Sequence, residues 1–144
     1  MNNNQTIDLV FKLKDGRIIN TSKLNFEINK NKSKKGLLVV RAFFNQGKWI
    51  EYRYSLLPNS YLLNYSIASS NLQDIIDTSE QNRLEWNLKS LRNSKSVEYE
   101  NRYTELTYGY ENDKVNELSI TGVDEETVDE IQWISYKQHF FNSI

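Results

Sequence analysis

Leu37-Leu38-Val39-Val40-Arg41-Ala42-Phe43-Phe44, then Asn45-Gln46-Gly47-Lys48, then Trp49-Ile50-Glu51-Tyr52-Arg53-Tyr54-Ser55-Leu56-Leu57 is the stretch whose reading decides the fold. Its first segment is apolar everywhere except Arg41, the pattern of a strand covered on both faces. A tight turn around Gly47 follows. The second segment alternates, with Ile50, Tyr52, Tyr54 and Leu56 on one face. Pairing Phe44 with Trp49 puts Leu37, Val39 and Phe43 on the face of Ile50, Tyr54 and Leu56. It also sets Arg41 opposite Tyr52, where a guanidinium can stack on the ring. This hairpin is expected at the centre of an antiparallel sheet.

Toward the N-terminus, Ile7, Leu9, Phe11 and Leu13 alternate as a half-buried strand. Asp15-Gly16 is a hairpin turn, and the return strand passes through Ile18 and Ile19. Leu24, Phe26 and Ile28 alternate again before the lysine-rich turn Asn29–Gly36. Residues 1–5 are polar and read as a flexible tail.

Toward the C-terminus, Pro58 closes the sheet-rich half. Residues 61–67 fit either a strand or the start of a helix. Leu72, Ile75 and Ile76 have helical spacing, and Thr78 with Gln81 resembles a capping box opening a second helix through Leu84, Leu88 and Leu91. Strands are expected over 97–103, 105–110 and 115–121, the last two joined by a three-residue loop that aligns Tyr108 with Leu118. Asp124 to Glu126 opens a terminal helix, striped by Val128, Ile131 and Ile134 and widened by Trp133, Phe140, Phe141 and Ile144. The expected fold is therefore α+β: mainly antiparallel sheet of about eight strands, two short central helices, and a C-terminal helix packed on the sheet, in one domain over 1–144.

Composition narrows the chemistry. The chain has no cysteine, which excludes disulfides and thiol catalysis. It has one histidine, His139, expected near the end of the last helix, where a cation favours the dipole. Glu98 and Glu100 on one strand face form the one carboxylate pair with glycosidase-like spacing, and such a face is more often simply solvated. No phosphate-binding glycine loop, nucleophile elbow or zinc motif is present. The acids of 124–130 lack the spacing of a calcium loop. No catalytic residue, metal or cofactor is expected. The polar start is not a signal peptide, and no apolar run approaches membrane-spanning length, so a cytoplasmic protein without membrane contact is expected.

The net charge of −1 is divided. Eleven Lys and Arg stand against four Asp and Glu up to Pro58, and seven against fifteen after it. Two clusters follow. Asp124, Glu125, Glu126, Asp129 and Glu130, followed by Trp133 and Tyr136, join steering charge to aromatic anchors. This suits a non-enzymatic inhibitor or immunity-type protein that neutralises a basic protein partner. The alternative is a nucleic-acid-binding accessory domain using Lys30, Lys32, Lys34 and Lys35, although the acidic pI near 5.9 weighs against it. A third reading is an enzyme that depends on carboxylates alone.

Overall fold

The computed structural model describes residues 5–45, 47–89, 94–119, 122–139 and 142–144. They form two compact units, one of Thr6–Trp86 and one of Asn87–Ile144 together with Gln5. Of the expected N-terminal tail, residues 1–4 lie outside the described residues, and Gln5 opens the first strand.

The first unit contains β1 (Gln5–Lys12), β2 (Ile18–Asn20), a 3-10 turn (Thr21–Lys23), β3 (Glu27–Ile28), β4 (Leu37–Asn45), β5 (Lys48–Leu56) and β6 (Leu63–Ser70), and it leads into β7 (Arg83–Leu88). One sheet has the order β2-β1-β7 and the other β3-β4-β5-β6. Phe11, Leu13, Ala42, Ile50, Tyr52 and Leu72 form the buried core, with Phe26, Tyr65 and Ile67 packed on it. The rings of Phe26 and Tyr52 stack at 4.8 Å, and Tyr65 meets Tyr52 edge-on at 5.4 Å. Each such side chain contributes roughly 1.5–3 kcal/mol on leaving water.

The β4–β5 hairpin is the sheet centre, with its register displaced by one residue from the expected one. Phe43 faces Trp49, Arg41 faces Glu51 and Val40 faces Tyr52, because an irregularity between Phe43 and Asn45 absorbs one residue at the turn. A one-residue slip exchanges faces. Ala42, Ile50 and Tyr52 therefore enter the core, while Arg41, Trp49, Glu51 and Arg53 share the opposite face.

The second unit contains α1 (Val97–Asn101), β8 (Glu105–Tyr110), β9 (Lys114–Ser119), β10 (Ile131–Lys137) and β11 (Asn142–Ser143), with sheet order β11-β10-β8-β9. The β8–β9 loop has the expected three residues, Glu111, Asn112 and Asp113, all at positive φ. Its register differs by two residues, so that Tyr108 faces Asn116 and Leu106 faces Leu118. A two-residue shift preserves the faces.

The α+β expectation is wrong: the described residues form eleven strands and one five-residue α-helix. The first central helix is a single turn. Ile75 N and Ile76 N both donate to Leu72 O, and the chain then returns to β1, where Asp77 N donates to Lys12 O at 2.9 Å. The capping box does not form, because the Asp77 carboxylate accepts Ser79 N and Ser79 Oγ in a local turn instead. Residues 83–88 are strand, and Leu91 lies outside the described residues. The expected strand over 97–103 begins as α1, with Ser96 Oγ capping Tyr99 N. The terminal helix is replaced by an irregular segment over 123–130 and by β10, whose Ile, Trp and Tyr side chains favour a pleated surface. Phe140 and Phe141 lie outside the described residues.

Candidate functional site

The structure separates the residues of the acidic–aromatic surface. Asp124, Glu125, Asp129 and Glu130 are exposed on the irregular segment. Glu126 turns onto the β8–β9 sheet, where its carboxylate accepts the Tyr108 hydroxyl and, at 3.0 Å, Asn116 Nδ2. Burial, then the Glu126 carboxylate, pushes the Tyr108 hydroxyl above the usual phenol range. Trp133 and Tyr136 would share one face of a helix. Three positions apart on a strand, they take opposite faces. Trp133 lies across Gly109 on the neighbouring strand, while Tyr136 pairs with Leu106 and burial raises its hydroxyl pKa. The helix that was to join five acids to two aromatics is absent. Glu98 and Glu100 are parted likewise. Glu98 is exposed and pairs with Arg102, while Glu100 is buried and accepts Ser94 N. His139 stacks on Tyr103 at 4.6 Å and meets Tyr99 edge-on. No three His, Asp or Glu side chains among the described residues are placed to share a metal ion.

The basic turn is also divided. Lys32 folds back over β5, where its Nζ lies 3.3 Å from both carboxylate oxygens of Glu51. Glu51 is fully buried and carries two arginines as well. Arg41 donates through Nε at 3.1 Å and Nη2 at 2.6 Å, and Arg53 through Nε at 2.8 Å. Burial pushes the Glu51 carboxyl up, and the Arg41, Arg53 and Lys32 hydrogen bonds more than offset it, leaving it below the usual carboxylate range. Arg41 also stacks on Trp49 at 3.9 Å, not on Tyr52 as the expected register implied. Lys32 is thus part of the fold. Lys34 and Lys35 remain exposed at a turn closed by Gly36, whose φ is +78°.

A feature with no counterpart in the sequence reading adjoins that turn. Beyond the last β5–β6 pair, Leu56 with Leu63, the loop exposes Leu57, Tyr61 and Leu62 to solvent. Its root forms one wall of an open groove of ≈ 710 Å³ shared with Lys34, Lys35 and Gly36. A second groove of ≈ 550 Å³ runs along Leu37, Leu38, Tyr54 and Leu63. The one signal in the sequence is the absence of any Asp or Glu between Glu51 and Asp74.

Comparison with known proteins decides the family. The family model described as "YidC periplasmic domain" matches residues 2–143. The chain belongs to the YidC periplasmic domain family. Among its relatives, the membrane protein insertase YidC of Porphyromonas gingivalis is 31% identical over 134 residues, covering 90% of this chain and 21% of the relative. That of Bacteroides fragilis is 30% identical over 129 residues (88% and 20%). That of Azobacteroides pseudotrichonymphae is 27% identical over 139 residues (95% and 22%). The chain spans about a fifth of the length of these relatives. No solved structure matches it.

Family membership overturns several expectations. The inhibitor or immunity-type reading, the basic protein partner and the nucleic-acid alternative give way to a domain whose relatives are named membrane protein insertases. The cytoplasmic expectation and the exclusion of membrane contact fall with them, since the family is a periplasmic one. Within the described residues, no helix is long and apolar enough to cross a membrane.

Proposed function

We propose that this chain serves membrane protein insertion as the periplasmic domain of a YidC-type insertase, and that it acts by binding without a covalent step. The observation that carries the reading is the family match across residues 2–143. The geometry supports it through a sheet that presents exposed apolar side chains on one hairpin loop and open apolar grooves, features that mark interaction surfaces. We propose the exposed acids Asp124, Glu125, Asp129 and Glu130 as a secondary contact surface, separate from Glu126, which the fold uses.

The test is depletion, in the native host, of the gene product that carries this chain, followed by pulse-labelling of newly made membrane proteins. Slowed integration is expected, restored by the wild-type gene. Unimpaired integration of every membrane protein followed would overturn the proposal.

A further inference from the structure

The β5–β6 loop gathers exposed apolar side chains. Leu57, Tyr61, Leu62 and Leu63 are 60%, 104%, 77% and 58% exposed. Exposed leucines grouped on one loop are uncommon on a surface that meets only water, and a tyrosine among them suits the boundary between apolar and wet phases. The cations stand behind this tip. Leu56 N donates to Gly36 O at 2.9 Å, and a Cβ on Gly36 would lie 2.9 Å from Leu56 O. The turn carrying Lys34 and Lys35 is therefore held against the root of the loop. Neither lysine makes an ion pair among the described residues.

Residues 57–62 lie beyond the last ladder pair and close as a turn, with Ser60 N donating to Leu57 O at 3.2 Å and Leu62 N to Ser60 Oγ at 3.1 Å, so the tip is short and compact. Interfacial elements bury their apolar face by about 5–10 Å. With the loop in the acyl boundary, Lys34 and Lys35 lie at headgroup depth, where anionic lipid attracts them. A second protein fits less well. A stable interface needs about 800 Å² from each partner, and a six-residue tip presents a knob, not a face. We infer that Leu57–Leu62 inserts into the surface of an anionic bilayer while Lys34 and Lys35 contact its headgroups. The inference deepens the insertase reading and rests on it only for a membrane close by.

The experiment uses vesicles and no insertion assay, so its failure is distinct from failure of the insertase reading. Because the chain has no cysteine, Leu62→Cys takes a single environment-sensitive fluorophore, with Thr78→Cys as a control in the same unit. Phosphatidylcholine vesicles with and without about a third phosphatidylglycerol are titrated in, and flotation of the unlabelled wild-type chain is measured alongside. Expected are flotation with the anionic vesicles and a blue shift at position 62 but not at 78. Lys34→Gln and Lys35→Gln should each weaken partition about five-fold, an effect that added salt reproduces. Leu57→Ser with Tyr61→Ser should weaken it about ten-fold or more at any salt. Circular dichroism confirms the fold of each variant. No flotation with anionic vesicles, equal shifts at both positions, or a shift that grows with protein concentration before lipid is added would overturn the inference, the last by assigning the tip to a second copy.

Discussion

Glu51→Gln probes the polar centre of the β3-β4-β5-β6 sheet. The Glu51 side chain has no exposure, and its three cationic partners differ in theirs: Arg41 is 17% exposed, Arg53 44% and Lys32 45%. Pairs as open as the last two contribute no more than about 1 kcal/mol each. The Arg41 pair is largely dry, and removing one member of such a pair costs about 3–5 kcal/mol. Gln keeps the shape and one acceptor but turns an NH₂ toward a guanidinium, so a loss of about 3 kcal/mol at pH 7 is expected. With a urea slope of about 1–3 kcal/mol per molar, the unfolding midpoint should fall by about 1 M or more. The pH dependence follows from the depressed carboxyl pKa. Stabilisation by Glu51 is complete above its unfolded value, near the ordinary 4.5, and is lost as pH falls through the lower folded value. Gln has no such loss. The gap between wild type and variant should be widest at neutral pH and shrink in acid. Tryptophan fluorescence reports the transition, since Trp49 lies against Arg41. A variant midpoint equal to wild type at pH 7, or a gap that ignores pH, would refute the reasoning.

Gly36→Ala should lower stability by about 1–3 kcal/mol, since φ is +78° and the new Cβ would press on Leu56 O; urea unfolding measures it. Gly109→Ala drives a Cβ into the Trp133 indole and should cost about 1–3 kcal/mol, with an altered near-ultraviolet signal from that ring; an unchanged spectrum and midpoint would show that the indole lies elsewhere. Asp8→Asn weakens a buried acceptor of Thr21 Oγ1, Ser22 N and Ser22 Oγ, for about 1.5–3 kcal/mol at pH 7. Burial pushes the Asp8 carboxyl up, but the Ser22 and Thr21 hydrogen bonds bring it below the ordinary 3.8, so this loss too should shrink as pH falls below that value.

Strands were legible where apolar residues alternate, or run unbroken as in β4, and a turn residue marks the reversal: β1, β4, β5, β8 and β9 fall where the pattern puts them. Helices were misread where the spacing is four. Residues i and i+4 share a face in both a helix and a strand, so Leu84 and Leu88 could not decide, and Trp86 between them was the better indicator. At the C-terminus the density of acids predicts a helix start. That segment has no regular structure, and Glu130 sits at positive φ. The helix-dipole argument for those acids therefore has no helix to act on.

The candidate site was hidden for a different reason. Residues 61–67 fit a strand or a helix start equally in the sequence, and an uncharged run carries no sign of which side of the ladder it occupies. The pairing of Leu56 with Leu63 supplies that sign, because everything between them projects past the sheet. The lysines show the converse. Four in six residues read as one solvated cluster, yet Lys32 reaches back to a fully buried carboxylate while Lys34 and Lys35 do not. Ser33 follows Lys32 directly, and its hydroxyl accepts Val39 N and donates to Val39 O, tying the turn to β4; Lys30 before it and Lys34 and Lys35 after it stay exposed, with no ion pair among the described residues. Charge density in the sequence thus marks a segment, and the reach of one side chain to a buried partner, Lys32 to Glu51, sets apart the charge that the fold uses.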